Sequence, residues 1–247
     1  KTAQTANRPR GMLQLFQLGT LHEESSANFY EFLYSTQGYH AKTSLTHAKP
    51  FVDLLSAEYR AEVGSVLDVG CSHGKGVSLL WERGFNASGC DISATAISRA
   101  RSLRTHPTFC PLGSCFRVGS GVGIPFETQS FDALLSTDVI EHVLPNEVGQ
   151  LFAEFRRVTK RLLFLQIANK KTCGNCTEYI KAYATHKRES GKAPSIPRVH
   201  ATVMVKQAWV RYFEKAGLEI VKDILPRSQT GFDSLNNFNF VLRVKKS

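Results

Sequence analysis

No apolar run in the 247 residues approaches the roughly 18 that a membrane span requires, so a spanning helix is not expected. Internal repeats and low-complexity tracts are also missing, which excludes solenoid and fibrous architectures. The chain begins at Lys1 rather than Met and shows no secretory leader. Its first 22 residues hold Lys1, Arg8 and Arg10 and no acid, as the remnant of a transit peptide would. An intracellular protein, cytoplasmic or organellar, is the expectation. What is present is a core: 42% hydrophobic and 21% charged residues suit one large α/β domain or two small ones.

The net charge of +10 is unevenly spread. Residues 151–247 hold 19 Lys and Arg against 7 Asp and Glu, whereas residues 61–150 hold 6 against 9. This basic protein therefore has a mildly acidic middle. The surplus in the last third suits an RNA or acidic protein partner, an acidic substrate, or merely a solvated basic face. Cysteines stand at 71, 90, 110, 115, 173 and 176. Reduced thiols are expected in an intracellular enzyme, with Cys71 and Cys90 as small core residues. Cys110, Cys115, Cys173 and Cys176 could make a four-thiolate zinc site, but the first pair's spacing is slack and no metal site is expected. The sequons at Asn86 and Asn175 are read as chance.

Apolar spacing predicts helices over Glu23–Tyr34 and Leu45–Arg60, then a buried strand over Ser65–Val69 and a helix over Gly74–Arg83. Ala87–Cys90 reads as a strand, and Ser93 as the cap of a helix reaching Leu103. Further strands are predicted over Cys115–Val118, Phe131–Ser136 and Arg161–Ile167, with a helix over Glu147–Thr159. Residues 169–200 are polar, basic and strand-poor, as an inserted lid would be. A helix over Val205–Ala216 ends at Gly217, and Leu218–Ile224 and Phe238–Val244 give two last strands. The fold class is therefore α/β, a doubly wound, seven-stranded, mostly parallel Rossmann-like sheet with ligands at the carboxyl ends of its strands. Residues 1–60 form an N-terminal extension with helices, and residues 61–247 the main domain, with the insertion at about 169–200.

Within "VLDVGCSHGKG", residues 66–76, two motifs overlap. From Gly70 it reads G-x-S-x-G, the turn that presents a serine nucleophile in hydrolases. That reading needs most of a sheet upstream and an acid and histidine correctly placed downstream, and neither His142 nor His200 follows an acid-bearing strand end of that kind. From Asp68 it reads as an acid-tipped glycine loop. Gly70 and Gly74 let the backbone turn and approach a ligand that a Cβ would block. Asp91, 17 residues beyond Gly74, ends the next strand where a carboxylate can accept both ribose hydroxyls. The P-loop spacing is lacking, and the NAD fingerprint fails at Ser72 and Lys75. Asp68 is awkward beside a pyrophosphate but complements a cationic amino-acid end. S-adenosylmethionine (SAM), which has an ammonium, a sulfonium and no phosphate, fits best.

These residues resemble the class I SAM-dependent methyltransferases, in particular the subgroup common among small-molecule methylators. The first motif, "GCDISATAISRAR" at 89–101, "IPFETQSFDALLSTDVIEHV" at 124–143 and "KQAWVRYFEKAGLEIV" at 206–221 carry the resemblance. It implies that Asp68 holds the methionine end, with the backbone of Gly70, Cys71, Ser72 and Gly74 lining it. Asp91 would take the ribose and Ile92 would pack on adenine. Asp138, Val139 and His142 would stand beside methionine and acceptor, with His142 the candidate catalytic base. At Gly119 and Ser120 the sequence departs from the family, which often has an acid or amide there for the adenine amino group. The expected activity is methyl transfer from SAM to a small-molecule acceptor. The alternatives are an RNA or acidic protein acceptor, or a silent structural subunit of a ribonucleoprotein complex. Tyr30, Tyr34, Tyr39, His40, Tyr179, Tyr183 and His186 are candidates for closing over the acceptor; the oligomeric state is left open.

Overall fold

The computed structural model describes residues 26–36, 47–169, 176–191, 199–224 and 237–246, with the backbone alone for 176–180. A helix over 26–36 (α1) precedes α2 (Ala48–Glu58). There follow β1 (Ser65–Val69), α3 (Lys75–Glu82), β2 (Asn86–Asp91), α4 (Ala94–Leu103), β3 (Phe116–Val118) and β4 (Phe131–Thr137). The chain continues through α5 (Val148–Val158), β5 (Thr159–Ala168), α6 (Cys176–Glu189), α7 (Lys206–Lys215), β6 (Leu218–Ile224) and β7 (Asn237–Val244). The seven strands form one sheet in the order β3-β2-β1-β4-β5-β7-β6. Every pair is parallel except those of β7, which runs antiparallel to both β5 and β6.

The apolar runs in β1, β4 and β5 exist because the sheet is covered on both faces. Successive side chains point to opposite faces, so Ala133 and Leu135 pack with Phe51, Leu80, Trp81 and Phe164 under α2 and α3. Leu134 turns the other way, into Phe152, Phe155, Trp209 and Phe213 from α5 and α7. Ser93 caps α4, its hydroxyl accepting from the Ala96 amide. Gly217, at φ +72°, closes α7 with its amide on the Glu214 carbonyl. No helix among the described residues is long and apolar enough to cross a membrane.

Two differences from the sequence reading stand out. Cys110 and Cys115 are joined in a disulfide across a five-residue separation, so the expectation of reduced thiols fails for this pair. The same bond removes both sulfurs from a thiolate zinc site; Cys173 lies outside the described residues. The second difference is in the insertion, where α6 forms and its Tyr183 is buried against Phe29 and Phe32 of α1. Insertion and N-terminal helix thus share one small core.

Candidate functional site at the carboxyl ends of the parallel strands

β1 and β2 are held in register up to Val69 and Cys90, where their backbones part. The amides of Gly70 and Cys71 both donate to the Cys90 carbonyl, at 2.8 and 3.0 Å, folding the loop onto the end of β2. Gly70, Ser72 and Gly74 all have φ between +52° and +79°. At Gly70 a Cβ would stand 2.2 Å from Cγ2 of Val139, and at Gly74 it would strike the Phe116 ring at 2.6 Å. Both glycines are therefore required twice, for backbone conformation and for space. Asp91, the last residue of β2, accepts from the Ser72 amide through Oδ2 (2.9 Å) and from the Ser93 amide through Oδ1 (3.0 Å). Each oxygen keeps a lone pair for one more donor, which is what a vicinal diol needs. Ser72 is a turn residue whose amide orients Asp91, and the hydrolase reading finds no support.

Four carboxyl groups gather here with raised pKa values. Asp68, at the end of β1, is pushed up to about 7 by burial and then by the charge of Asp91. Asp91 rises to about 6 through burial, against the opposing hydrogen bonds from Ser93 and Ser72. Asp138, just past β4, is raised by burial although His47 and His200 pull it down. Glu141 reaches about 8, from burial and then the charge of Asp138. Acids held in this way call for a cation.

The other sequence-predicted residues fall around this loop. Ile92 follows Asp91, and the Gly119 amide donates to the Asp91 carbonyl at 3.0 Å, placing Gly119 and Ser120 beside Asp91. Ser120 accepts from the Val122 amide through its hydroxyl. Asp138, itself at φ +54°, puts Oδ2 3.3 Å from Nδ1 of His47. His142 lies in a short 3-10 turn over Ile140–His142, with Nδ1 on the Val199 carbonyl and its ring edge-on to Tyr30 and His200. Tyr34 packs edge-on to His73 of the glycine loop. Tyr183 and His186 are packing partners of Phe32. Tyr39 and His40 lie outside the described residues, as does the Tyr179 side chain.

Several residues at the site were missed. Glu31 of α1 accepts from the Ser93 hydroxyl (2.7 Å), the Thr95 amide (3.0 Å) and the Thr95 hydroxyl, fastening α1 over the start of α4. His47 Nδ1 stands 2.8 Å from the side-chain oxygen of Gln166, whose amide donates to Asn239 at 3.0 Å. Gln166 and Asn239 are almost fully buried in strands that otherwise read as apolar, and that interruption was the available signal.

This sheet order, with one antiparallel strand and a glycine loop after β1, is the fold of the class I SAM-dependent methyltransferases. Residues 67–162 match the family model described as a methyltransferase domain. The solved structures agree. A Synechocystis magnesium protoporphyrin IX methyltransferase with bound S-adenosylhomocysteine is 16% identical, with 81% of this chain and 82% of that one covered and a TM-score of 0.57. A Burkholderia thailandensis 1,6-didemethyltoxoflavin N1-methyltransferase is 16% identical over 91% and 90%, with a TM-score of 0.59. A Haloferax volcanii chain solved in complex with the methyltransferase activator Trm112 is 16% identical over 92% and 98%, also at 0.59. At such identities the likeness establishes the fold. No curated protein matches the chain in sequence.

Proposed function

We propose that the protein transfers the methyl group of SAM to a small-molecule acceptor. The observation that carries this reading is the set of buried acids on the glycine loop and its neighbours. Asp68 and Asp91, with pKa values of about 7 and 6, line a loop whose glycines admit a ligand backbone-close. A pyrophosphate would be repelled there; an ammonium and a ribose diol are matched. Asp68 faces the amino-acid end, Gly70, Cys71, Ser72 and Gly74 line it, and Asp91 takes the ribose. Ile92, Gly119 and Ser120 form the adenine side, and Asp138 and Val139 the methyl side. The cofactor supplies a methyl carbon activated by a positively charged sulfur. The chain must hold acceptor, carbon and sulfur on one axis and exclude water.

An acceptor protonated in its ground state also needs a base. His142 is the sequence's candidate, with Nδ1 held on the Val199 carbonyl. His47 is the better one: it is half exposed, paired with the Asp138 carboxylate and oriented by Gln166. The size of the acceptor follows from what covers the site. Tyr34, Tyr30 and Glu31 of α1 reach the glycine loop, the end of β4 and the start of α4. Such a cover favours a small acceptor, and the acids beneath it disfavour a polyanion. Moreover, Arg157, Lys160, Lys206, Lys222 and Arg243 of the basic last third are engaged in ion pairs. That favours the solvated-face reading over an RNA surface.

Calorimetric titration of SAM into the wild type and into Asp91→Ala tests the cofactor site. Saturable binding that Asp91→Ala abolishes is expected; equal binding by both refutes it. Methyl transfer to small hydroxyl or amine acceptors then tests turnover. His47→Gln should lower kcat by about 10²–10⁴-fold with SAM affinity unchanged.

A further inference from the structure

One cluster is not used by this chemistry. Glu141, His142 and His200 bring one carboxylate oxygen and two imidazole nitrogens within 4.8 Å of one another. Glu141 is fully buried, and its carboxyl has no side-chain partner among the described residues, only the backbone amides of Glu141 and Ala168 directed at it. A buried carboxyl with no counter-charge beside it is costly, and so needs a reason to be there. The three residues come from two distant stretches of chain that the fold fastens together. The Thr202 amide donates to the Glu141 carbonyl at 3.0 Å, and its hydroxyl to the Val143 carbonyl at 2.5 Å.

We propose that Glu141, His142 and His200 bind a divalent transition-metal ion of the zinc type at the acceptor side of the site. One carboxylate and two imidazoles are a ligand set zinc takes while leaving a coordination position open. In tetrahedral geometry, atoms bound at about 2.1 Å stand about 3.4 Å apart. Closure of the cluster therefore asks for about 1.4 Å at most, shared between side chains that can rotate. His142 already has the support a ligand requires. Its Nδ1 is held by the Val199 carbonyl, which fixes the orientation of the ring. The ion would neutralise Glu141 and clamp the 199–202 segment to the end of β4. It would also stand next to Asp138, whose carboxylate feels both His200 and Glu141. The site is independent of the cofactor reading, and its test uses no SAM.

The experiment is calorimetric titration of zinc chloride into chelator-stripped whole protein, with melting curves taken with and without the ion. Glu141→Gln and His200→Ala are the test variants, and a Cys173→Ser/Cys176→Ser double variant controls for thiol binding. One ion per chain is expected in the wild type and in the cysteine control, with affinity more than about tenfold weaker in both test variants. Without metal, Glu141→Gln should melt no lower than the wild type, because it removes a fully buried acid with no counter-charge and keeps an oxygen to accept from the same backbone amides. With zinc the order should reverse, since only a folded site with its ligands intact gains stability from the ion. Absence of binding by the wild type overturns the proposal. So does unweakened binding in either test variant, loss in the cysteine control, or a melting order that zinc does not reverse.

Discussion

Substituting Gly70 by alanine separates two costs that the loop imposes at one residue. At φ +79° an L-residue is strained by about 1–2 kcal/mol. The new Cβ would lie 2.2 Å from Cγ2 of Val139, an overlap that core overpacking data place at about 1–3 kcal/mol. Lower entropy of the unfolded chain returns about 0.4–1 kcal/mol. The net expectation is a loss of about 1–5 kcal/mol, read from urea unfolding by linear extrapolation. Val139→Ala should cost about 1 kcal/mol alone, because that side chain is only half-buried. In the double variant the Val139 methyls are gone and the nearest Val139 atom is Cβ, 3.4 Å away. The overlap is relieved and the strain remains, so the double variant should be no less stable than Gly70→Ala. Additive losses, or a neutral Gly70→Ala, would refute the argument that the ends of β1 and β4 meet at this glycine.

Four further outcomes follow from the same structure. Asp68 has a folded pKa of about 7 against 3.8 for a free aspartate, so the folded state holds the proton longer than the unfolded one. Stability without ligand should therefore fall as pH rises from about 4 to about 7, and Asp68→Asn should flatten that slope in urea unfolding at several pH values. A cation bound beside Asp68 reverses the preference, so SAM affinity should rise with pH up to about 7 and its calorimetry should show proton release below that pH. Glu31 is pushed up by burial, but its hydrogen bonds to Thr95 and Ser93 prevail and lower its pKa, so its contribution is present above 4.5 and lost on acidification. Glu31→Gln should cost about 1–2 kcal/mol and expose α1 to limited proteolysis near neutral pH. Reducing the Cys110–Cys115 disulfide, which closes a short loop, should cost about 2 kcal/mol, visible as a lower melting temperature in dithiothreitol.

The strands were legible because each buried strand announces itself locally, as an apolar run ended by a turn residue; their order in the sheet was not read from the sequence. The burial of Asp68 and Asp91 at strand ends beside the glycine loop was legible for a related reason: an acid closing an apolar strand needs a partner. The acceptor side was not, because its geometry depends on distant residues brought together only by folding. His47 pairs with Asp138 across 91 positions, and nothing near His47 marks it. Glu141 stands in the 124–143 motif, but that it is sealed from solvent is visible only in three dimensions. The disulfide was missed because compartment was used to decide chemistry, although two cysteines five apart can meet wherever the loop allows it. The charge balance is a different kind of signal. A net +10 drew attention to the last third, yet five of its Lys and Arg residues spend their charge on acids of this same chain. The informative charges are the four carboxyls at the strand ends, a minority in number but the ones whose burial raises their pKa values. Net charge describes the surface that solvent sees; the ligand is chosen by the charges that solvent does not reach.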